Sequence, residues 1–262
     1  MKLFKLSLLT LFLSGLIFQS CNKEEDVIAP ELPPTASFSI DFSDFESEGK
    51  EVTVYENWGH AAFNVAVWNA IITVGLAVPV ASFAEAVNNH EPVYLEDQKW
   101  LWEYSFSAGN HNYTAKLYGE LGDGEVYWEM YITKEDVFTD FLWYSGTSKL
   151  DNSEVDWILY DTPTNPTEIL AIDYNKTSED TGNIKYTNIV PDGPENGGYI
   201  KYGNDSTTNL NAYYDIYNKG QDNLIEIEWS QTAKNGRVKN FMYYEDNDWH
   251  CWDEYLIDID CE

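Results

Sequence analysis

From Trp100 onward, apolar and polar residues alternate along the chain in short runs that end at turn residues. In the run from Glu125 to Ile132, four apolar residues alternate with two glutamates and two tyrosines. A period of two with one polar face is typical of a half-buried antiparallel strand. Turn sequences such as Gly122-Asp123-Gly124 and Asn235-Gly236 separate the runs. The pattern predicts a mainly β fold, an antiparallel meander of about a dozen strands that forms a barrel or a curved sheet.

Residues 57–84 break this pattern, because they contain no Asp, Glu, Lys or Arg in a chain that is 23% charged. A helix that is apolar on all sides is buried in protein or in a membrane. Pro79 lies inside the segment, and an interior proline kinks or breaks a helix. We therefore expect a helical hairpin, with helices at about 60–73 and 79–89, in an insertion at about residues 58–90. It would pack on the concave face of the sheet, over a filled core or an apolar cleft; a transmembrane helix is the alternative.

The first 21 residues have the layout of a secretory signal. Lys2 and Lys5 precede an uncharged apolar run from Leu8 to Phe18, and Ser20 stands directly before Cys21. A run of that length is too short to cross a membrane, which takes about 20 residues. A basic start, an apolar centre and a small residue before the cleavage point predict a signal peptide over residues 1–20.

The leader resembles that of a bacterial lipoprotein, in which cleavage precedes a cysteine that then carries the lipid. The residues that follow Cys21, Lys23-Glu24-Glu25-Asp26, resemble the export signal of surface lipoproteins in Bacteroidota. The resemblance covers residues 1–26 only. It implies a membrane partner through a lipid anchor at Cys21, and localisation at the cell outer membrane with display on the surface.

A proline-rich acidic stretch separates the anchor from the β region. Pro30, Pro33 and Pro34 favour extended polyproline geometry. We expect residues 21–35 to form a tether and residues 36–262 to form a single domain.

The charge of the chain excludes some partners. It has 45 Asp and Glu against 15 Lys and Arg, a formal net charge of −30. A surface this acidic repels nucleic acid, so no nucleic-acid partner is expected. The aromatic content is high, with 10 Trp and 19 Tyr. Such side chains supply buried area, and Tyr and Trp also suit contacts that are half apolar and half polar, such as those with sugars.

No motif in the chain specifies a reaction, a metal or a cofactor. The chain has four histidines, His60, His90, His111 and His250, and they do not stand at metal-ligand spacing. It also has no H-E-x-x-H motif, no G-x-S-x-G motif and no phosphate-binding glycine loop. We therefore predict no catalytic residue, no metal and no cofactor, and favour a non-enzymatic protein. The carboxylates that would suit a carbohydrate hydrolase are Glu103 and Glu129, which lie among aromatic residues on predicted strands.

Two cysteines remain beyond the anchor, Cys251 and Cys261. In an oxidising compartment an even pair suggests a disulfide. Ten residues of straight strand span about 33 Å, whereas a disulfide needs its Cα atoms within about 7 Å. Either the chain reverses near residues 254–257 and the bond forms, or two free thiols lie on one strand.

These features favour a surface lipoprotein that binds a ligand. A glycan would use exposed aromatic side chains beside turns, with Trp143, Trp249 and Trp252 as candidates. A hydrophobic ligand would use a cleft under the helices, around Phe63 and Trp68. That second arrangement is similar in architecture to the half-barrel carriers that move lipoproteins in the periplasm, with the helices as a lid. A surface carbohydrate hydrolase is a further alternative.

Overall fold

The structure, a computed structural model, describes residues 28–45, 56–88, 90–178 and 181–261. The predicted signal peptide, residues 1–20, and the predicted lipidation site Cys21 lie outside the described residues. The described residues form one open antiparallel sheet in which each strand pairs with the next along the chain. The strands are β1 Val93–Glu96, β2 Lys99–Ala108, β3 His111–Leu121, β4 Glu125–Lys134, β5 Phe138–Lys149, β6 Glu154–Thr162, β7 Asn165–Lys176, β8 Gly182–Asn188, β9 Tyr199–Asn204, β10 Ala212–Asn218, β11 Asn223–Trp229, β12 Gly236–Asn240, β13 His250–Trp252 and β14 Asp258–Ile259.

This sheet confirms the predicted antiparallel meander. Strand alternation divides it into an inner face, whose side chains are buried, and an outer face of polar and aromatic side chains. In β4, for example, Val126, Trp128, Met130 and Ile132 point inward, as the sequence pattern predicted. Strands β1 and β14 lie at opposite edges, so the open curved sheet, not the closed barrel, is the form observed.

Two α-helices cover part of the inner face. They are α1 Glu56–Gly75 and α2 Ala77–Val87, and the pair bends by 68° at the break between them. The break lies at Leu76. Pro79 lies in the first turn of α2, so it donates no hydrogen bond to the carbonyl of Gly75, the last residue of α1. Among the described residues no single helix is long and apolar enough to cross a membrane; the bent pair reaches that length and composition only when both helices are counted.

Residues 28–45, which we call the strap, also lie along the inner face. Phe38 is fully buried, and Tyr186 Oη donates a 2.9 Å hydrogen bond to its carbonyl oxygen. Further along, Tyr214 Oη donates to the Asp41 carbonyl at 3.2 Å. Pro33 is buried as well. Part of the predicted tether therefore lies against the sheet, where Ala29 and Leu32 pack on the core; residues 21–27 lie outside the described range.

The strap and α2 meet the sheet in an aromatic cluster. The ring of Phe83 in α2 lies 5.2 Å from that of Phe38 and 5.2 Å from that of Trp157 in β6, and Tyr144 in β5 lies beside them. Tyr104 Oη donates a 2.6 Å hydrogen bond to the carbonyl of Ser82, so the one polar atom of that ring has a partner. Under α2 the inner face is a filled core.

Burial of α1 is one-sided. Asn57, Ala61, Val65 and Ile72 face the sheet and are buried. The opposite side of α1 is exposed although it too is apolar, since α1 is the outermost layer on this face. The helices pack on the sheet as predicted, but α1 keeps one apolar side open.

The chain ends in a tight reversal. Asp253 Oδ1 accepts hydrogen bonds of 2.9 Å from the backbone N–H groups of Tyr255 and Ile257, and β14 then returns along β13. This reversal brings the Cα atoms of Cys251 and Cys261 to 5.3 Å, and their sulfur atoms form a disulfide. The chain thus reverses at residues 253–257, where the disulfide requires it, and the alternative of two free thiols on one straight strand does not apply.

Four short helices complete the described chain. The 3₁₀ turns are Thr35–Ser37, Ser43–Phe45 and Lys219–Gln221, and a short helix α3 spans Phe241–Tyr244 after β12. Asn240 begins α3, and its side chain accepts a hydrogen bond from the N–H of Met242.

Candidate ligand-binding groove

Trp252 is not an exposed binding platform. It is 1% exposed, on the inner face of β13, and its Nε1 donates a 2.9 Å hydrogen bond to the Lys234 carbonyl. Gly236 lies opposite on β12, and a Cβ there would come within 2.3 Å of the indole. The prediction for Trp252 is wrong because the partner glycine makes room for the ring inside the core.

The two other tryptophans proposed for glycan binding do not share a site. Trp143 lies at a bulge in β5 and packs against Phe138 and Phe141. Trp249 precedes β13, and the guanidinium carbon of Arg237 lies 4.2 Å from its ring centroid. Strands β6 to β12 separate the two residues in the sheet. Each ring is half-buried, and each is already in contact with neighbours of its own.

The proposed apolar cleft around Phe63 and Trp68 is also absent from the described residues. Phe63 is 68% exposed, on the side of α1 that faces away from the sheet, while Ile72 and Phe83 are buried. Trp68 is partly buried against the core. These residues lie on different sides of the helices, so they do not enclose one ligand.

A groove of about 520 Å³ lies on the outer face, across β2 to β6. That volume falls within the range of small-molecule sites. Ser145 and Thr147 of β5 form its floor, because their side chains are short beside the larger ones of β4 and β6. The side chains around this floor are Lys99, Tyr118, Glu120, Tyr127, Glu129, Asp156 and Ile158.

Strand register brings these residues into two rows. In the first, Tyr127 lies opposite Thr147, which lies opposite Asp156. In the second, Glu129 lies opposite Ser145, which lies opposite Ile158. Neighbouring strands are about 4.8 Å apart, so the groove from β3 to β6 is about 14 Å across.

Tyr127 gives the groove its most accessible ring. Its side chain is on the outer face, and the residue is 49% exposed. The ring leans over Gly122 at the β3–β4 turn, where a Cβ would meet ring carbon Cε2 at 2.3 Å. A glycine at position 122 therefore sets where the ring lies.

Tyr118 stands beside it on β3 and is fixed by two neighbours. Lys99 Nζ lies 5.1 Å from the Tyr118 ring centroid, and the ring of Tyr131 meets it edge-on at 5.7 Å. A cation over the face of an aromatic ring is attracted by the ring electrons. Lys99 thus holds one wall of the groove in place.

The carboxylates of the groove differ in their partners. Lys99 Nζ lies 3.5 Å from Glu120 and 3.9 Å from Glu129, so one cation serves two carboxylates. Burial raises the pKa of Asp156 above its ordinary value, and the negative charge of Asp173 on the next strand raises it further. The groove carries more negative than positive charge and is rich in hydrogen-bond acceptors.

The proposed hydrolase carboxylates do not meet in this groove. Glu129 lines it, whereas Glu103 lies on β2 opposite Lys116, outside the lining residues. Within the described part of the chain, no group of three or more His, Cys, Asp and Glu side chains is placed to hold a metal ion. The groove therefore offers rings, hydroxyls and carboxylate acceptors.

A second concavity, of about 620 Å³, lies between the strap and the ends of β7 to β9. Its amide groups are bonded to one another: Asn211 Nδ2 donates to Gln231 Oε1 at 3.1 Å, and Gln231 Nε2 donates to Tyr202 Oη at 3.2 Å. A ligand there would have to compete with these bonds. The outer groove is the better candidate.

The groove contains none of the tryptophans that the sequence offered as ligand-binding residues. Its rings are tyrosines, and its floor is defined by two short residues on the polar face of β5, Ser145 and Thr147. The available signal was this Ser-x-Thr spacing next to a strand whose polar face carries Tyr127 and Glu129.

Comparison of the chain with the profiles of known protein families, with curated proteins and with solved structures found no match.

Proposed function

We propose that this chain is a non-enzymatic surface lipoprotein that binds a neutral glycan in the outer groove. The observation that carries the proposal is the exposed Tyr127 ring beside two carboxylate acceptors, Glu129 and Asp156, over a floor of hydroxyl groups. A sugar ring has an apolar C–H face and an edge of hydroxyl groups. The tyrosine suits the first and the carboxylates suit the second.

The charge of the chain supports a neutral ligand over an anionic one. The net charge is −30, and the groove itself has three carboxylates against one lysine. A polyanion would be repelled before it reached the groove. Neutral hydroxyl groups, in contrast, donate hydrogen bonds to ionised carboxylates, and such bonds are stronger than those between neutral groups.

The packing of the inner face argues against the hydrophobic-ligand alternative. Phe38, Phe83, Tyr144 and Trp157 occupy the space in which an apolar ligand would lie beneath α2. The outer groove, by comparison, is built on neighbouring strands of a continuous sheet. A site on paired strands is held in position before the ligand arrives, which reduces the cost of ordering it.

The test is calorimetric titration of a panel of neutral oligosaccharides into the chain from residue 22 onward. We expect at least one to bind, and Tyr127→Ala to weaken that binding about tenfold, as loss of one stacked ring implies. Tyr199→Ala is the matched control, since Tyr199 is another outer-face tyrosine, on β9, away from the groove. Equal loss in both variants, or no binding across a broad panel, would remove the groove from the proposal.

The anchor needs a separate test. We propose that Cys21 carries the lipid that attaches the chain to the outer membrane, with the folded part displayed on the cell surface. Globomycin, which blocks the lipoprotein signal peptidase, should make the uncleaved precursor accumulate. A precursor that is processed normally under globomycin would remove the lipid anchor while leaving the glycan proposal intact.

A further inference from the structure

The outward side of α1 is a continuous apolar stripe. Phe63, Val67, Ile71 and Val74 follow helical spacing, and all four are exposed. The stripe runs about 16 Å along the helix axis. Ala66 and Ala70 fill the positions between its large residues and are exposed as well.

Helix α3 extends the stripe. The ring of Tyr243 stacks on that of His60 of α1 at 3.8 Å between centroids, so the two helices are in contact. Phe241 and Met242 are exposed beside Tyr243. We call the stripe together with these three residues the apolar patch.

The apolar patch contrasts with the rest of the chain. Residues 57–84, which include the whole stripe, have no charged side chain, in a chain of net charge −30. An exposed apolar surface that spans two helices marks an interaction site. Single exposed apolar residues elsewhere need no such explanation.

The direction in which the chain leaves the fold indicates what covers the patch. The strap lies on the inner face of the sheet, as α1 does. Its first residues lie by the β5–β6 turn, where Asn152 Nδ2 donates a 3.3 Å hydrogen bond to the Leu32 carbonyl, and its other end, Ser43–Phe45, contacts α1. The described chain begins at Ile28, so only residues 22–27 separate it from Cys21. Six residues reach at most about 20 Å. A lipid on Cys21 therefore holds the first residues of the strap, which pack on the inner side of the sheet, within about 20 Å of the leaflet.

We propose that the apolar patch rests in the surface of a zwitterionic lipid leaflet, the same leaflet that holds the anchor. The position of the chain next to a leaflet rests on the proposed lipid anchor, whereas the affinity of the contact comes from the apolar patch. Helices that bury one apolar side at the boundary between headgroups and acyl chains bind membranes without crossing them. Anionic lipid would oppose the contact, because the chain is strongly acidic.

This contact would orient the molecule. The patch lies on the inner side of the sheet and the groove lies on the outer face, so the groove would face the medium. A surface lipoprotein that captures glycans needs that arrangement.

The experiment is flotation with phosphatidylcholine vesicles, using the chain from residue 22 onward, which lacks the anchor. All described contacts lie at or beyond residue 28, so this chain retains them. The test variant carries Phe63→Ser and Ile71→Ser together. The control is Val137→Ser, because Val137 is 66% exposed and lies outside the patch, between β4 and β5.

We expect the unchanged chain and the Val137→Ser control to float with the vesicles, and the double variant to lose at least tenfold of its vesicle binding. An environment-sensitive fluorophore at position 71 should shift to the blue on vesicles, and one at position 137 should not. The melting temperature of the double variant should match that of the unchanged chain, since both residues are exposed.

Two results would overturn the proposal. One is absence of flotation, or flotation that the double variant retains. The other is a lipid-independent dimer in sedimentation velocity that the double variant abolishes, which would assign the patch to a second copy of the chain. Because the chain lacks Cys21, a negative result here is distinct from failure of the anchor, which globomycin reports, and from failure of glycan binding, which calorimetry reports.

Discussion

Truncation of Phe83 tests whether α2 is packed into a filled core. Phe83 is 1% exposed, and its ring lies 5.2 Å from both Phe38 of the strap and Trp157 of β6. Phe83→Ala therefore removes contacts among three parts of the fold at once: the helix, the strap and the sheet.

The magnitude follows from this environment. Truncation of a buried phenylalanine to alanine costs about 3–5 kcal/mol, and the larger values belong to sites that cannot collapse around the cavity. The rings around Phe83 belong to a paired strand and to a strap hydrogen-bonded to the sheet, so collapse is restricted. We expect Phe83→Ala to lower the free energy of unfolding by about 4 kcal/mol.

The assay is urea unfolding of the chain from residue 22 onward, followed by tryptophan fluorescence. Phe63→Ala is the matched control, because Phe63 is 68% exposed on the neighbouring helix. It should change the unfolding free energy by less than about 0.5 kcal/mol. A loss below about 1 kcal/mol for Phe83→Ala, or equal losses in both variants, would show that α2 is not packed on the sheet as described.

Three further outcomes follow from single side chains. Burial lowers the pKa of His60 from 6.5 to about 4, so the unfolded chain binds that proton more tightly. Urea unfolding should therefore show that the free energy of unfolding falls as the pH drops from 6.5 to about 4. Because the ring is only half-buried, we expect a loss on the order of 1–2 kcal/mol. His60→Gln should remove that part of the pH dependence. The raised pKa of Asp156 predicts that glycan affinity measured by calorimetry falls as the pH is lowered, starting at a higher pH than an ordinary aspartate would give. Asp156→Asn should bind more weakly at neutral pH and lack that dependence. Gly122→Ala should displace the Tyr127 ring and reduce glycan affinity several-fold, without changing the urea midpoint.

The strands and their faces could be predicted because a period of two is written directly into the sequence. The alternation around Trp128 and Met130 specified which side of β4 is buried. The pair of apolar helices was predictable too, since residues 57–84 lack charge. The exact break was not, because Pro79 fits the first turn of a helix as well as it ends one.

Other features depend on contacts between distant residues. The strap packs on the sheet because Phe38 contacts Phe83 and Trp157. The sequence of residues 28–35 alone does not indicate that this stretch would lie against the inner face. Trp252 is buried because Gly236 lies opposite it, a pairing fixed by register across two strands. The groove is likewise a product of register, since it needs Tyr127 beside Thr147.

Fluorine NMR of the chain labelled with 3-fluorotyrosine tests the central claim most directly, because it shows where a glycan binds. Tyr127→Phe and Tyr199→Phe each assign one resonance by its loss. On titration with the tightest-binding neutral oligosaccharide, we predict that the Tyr127 resonance shifts in a saturable way and that the Tyr199 resonance does not. A saturable shift at Tyr199 with an unmoved Tyr127 would contradict the account.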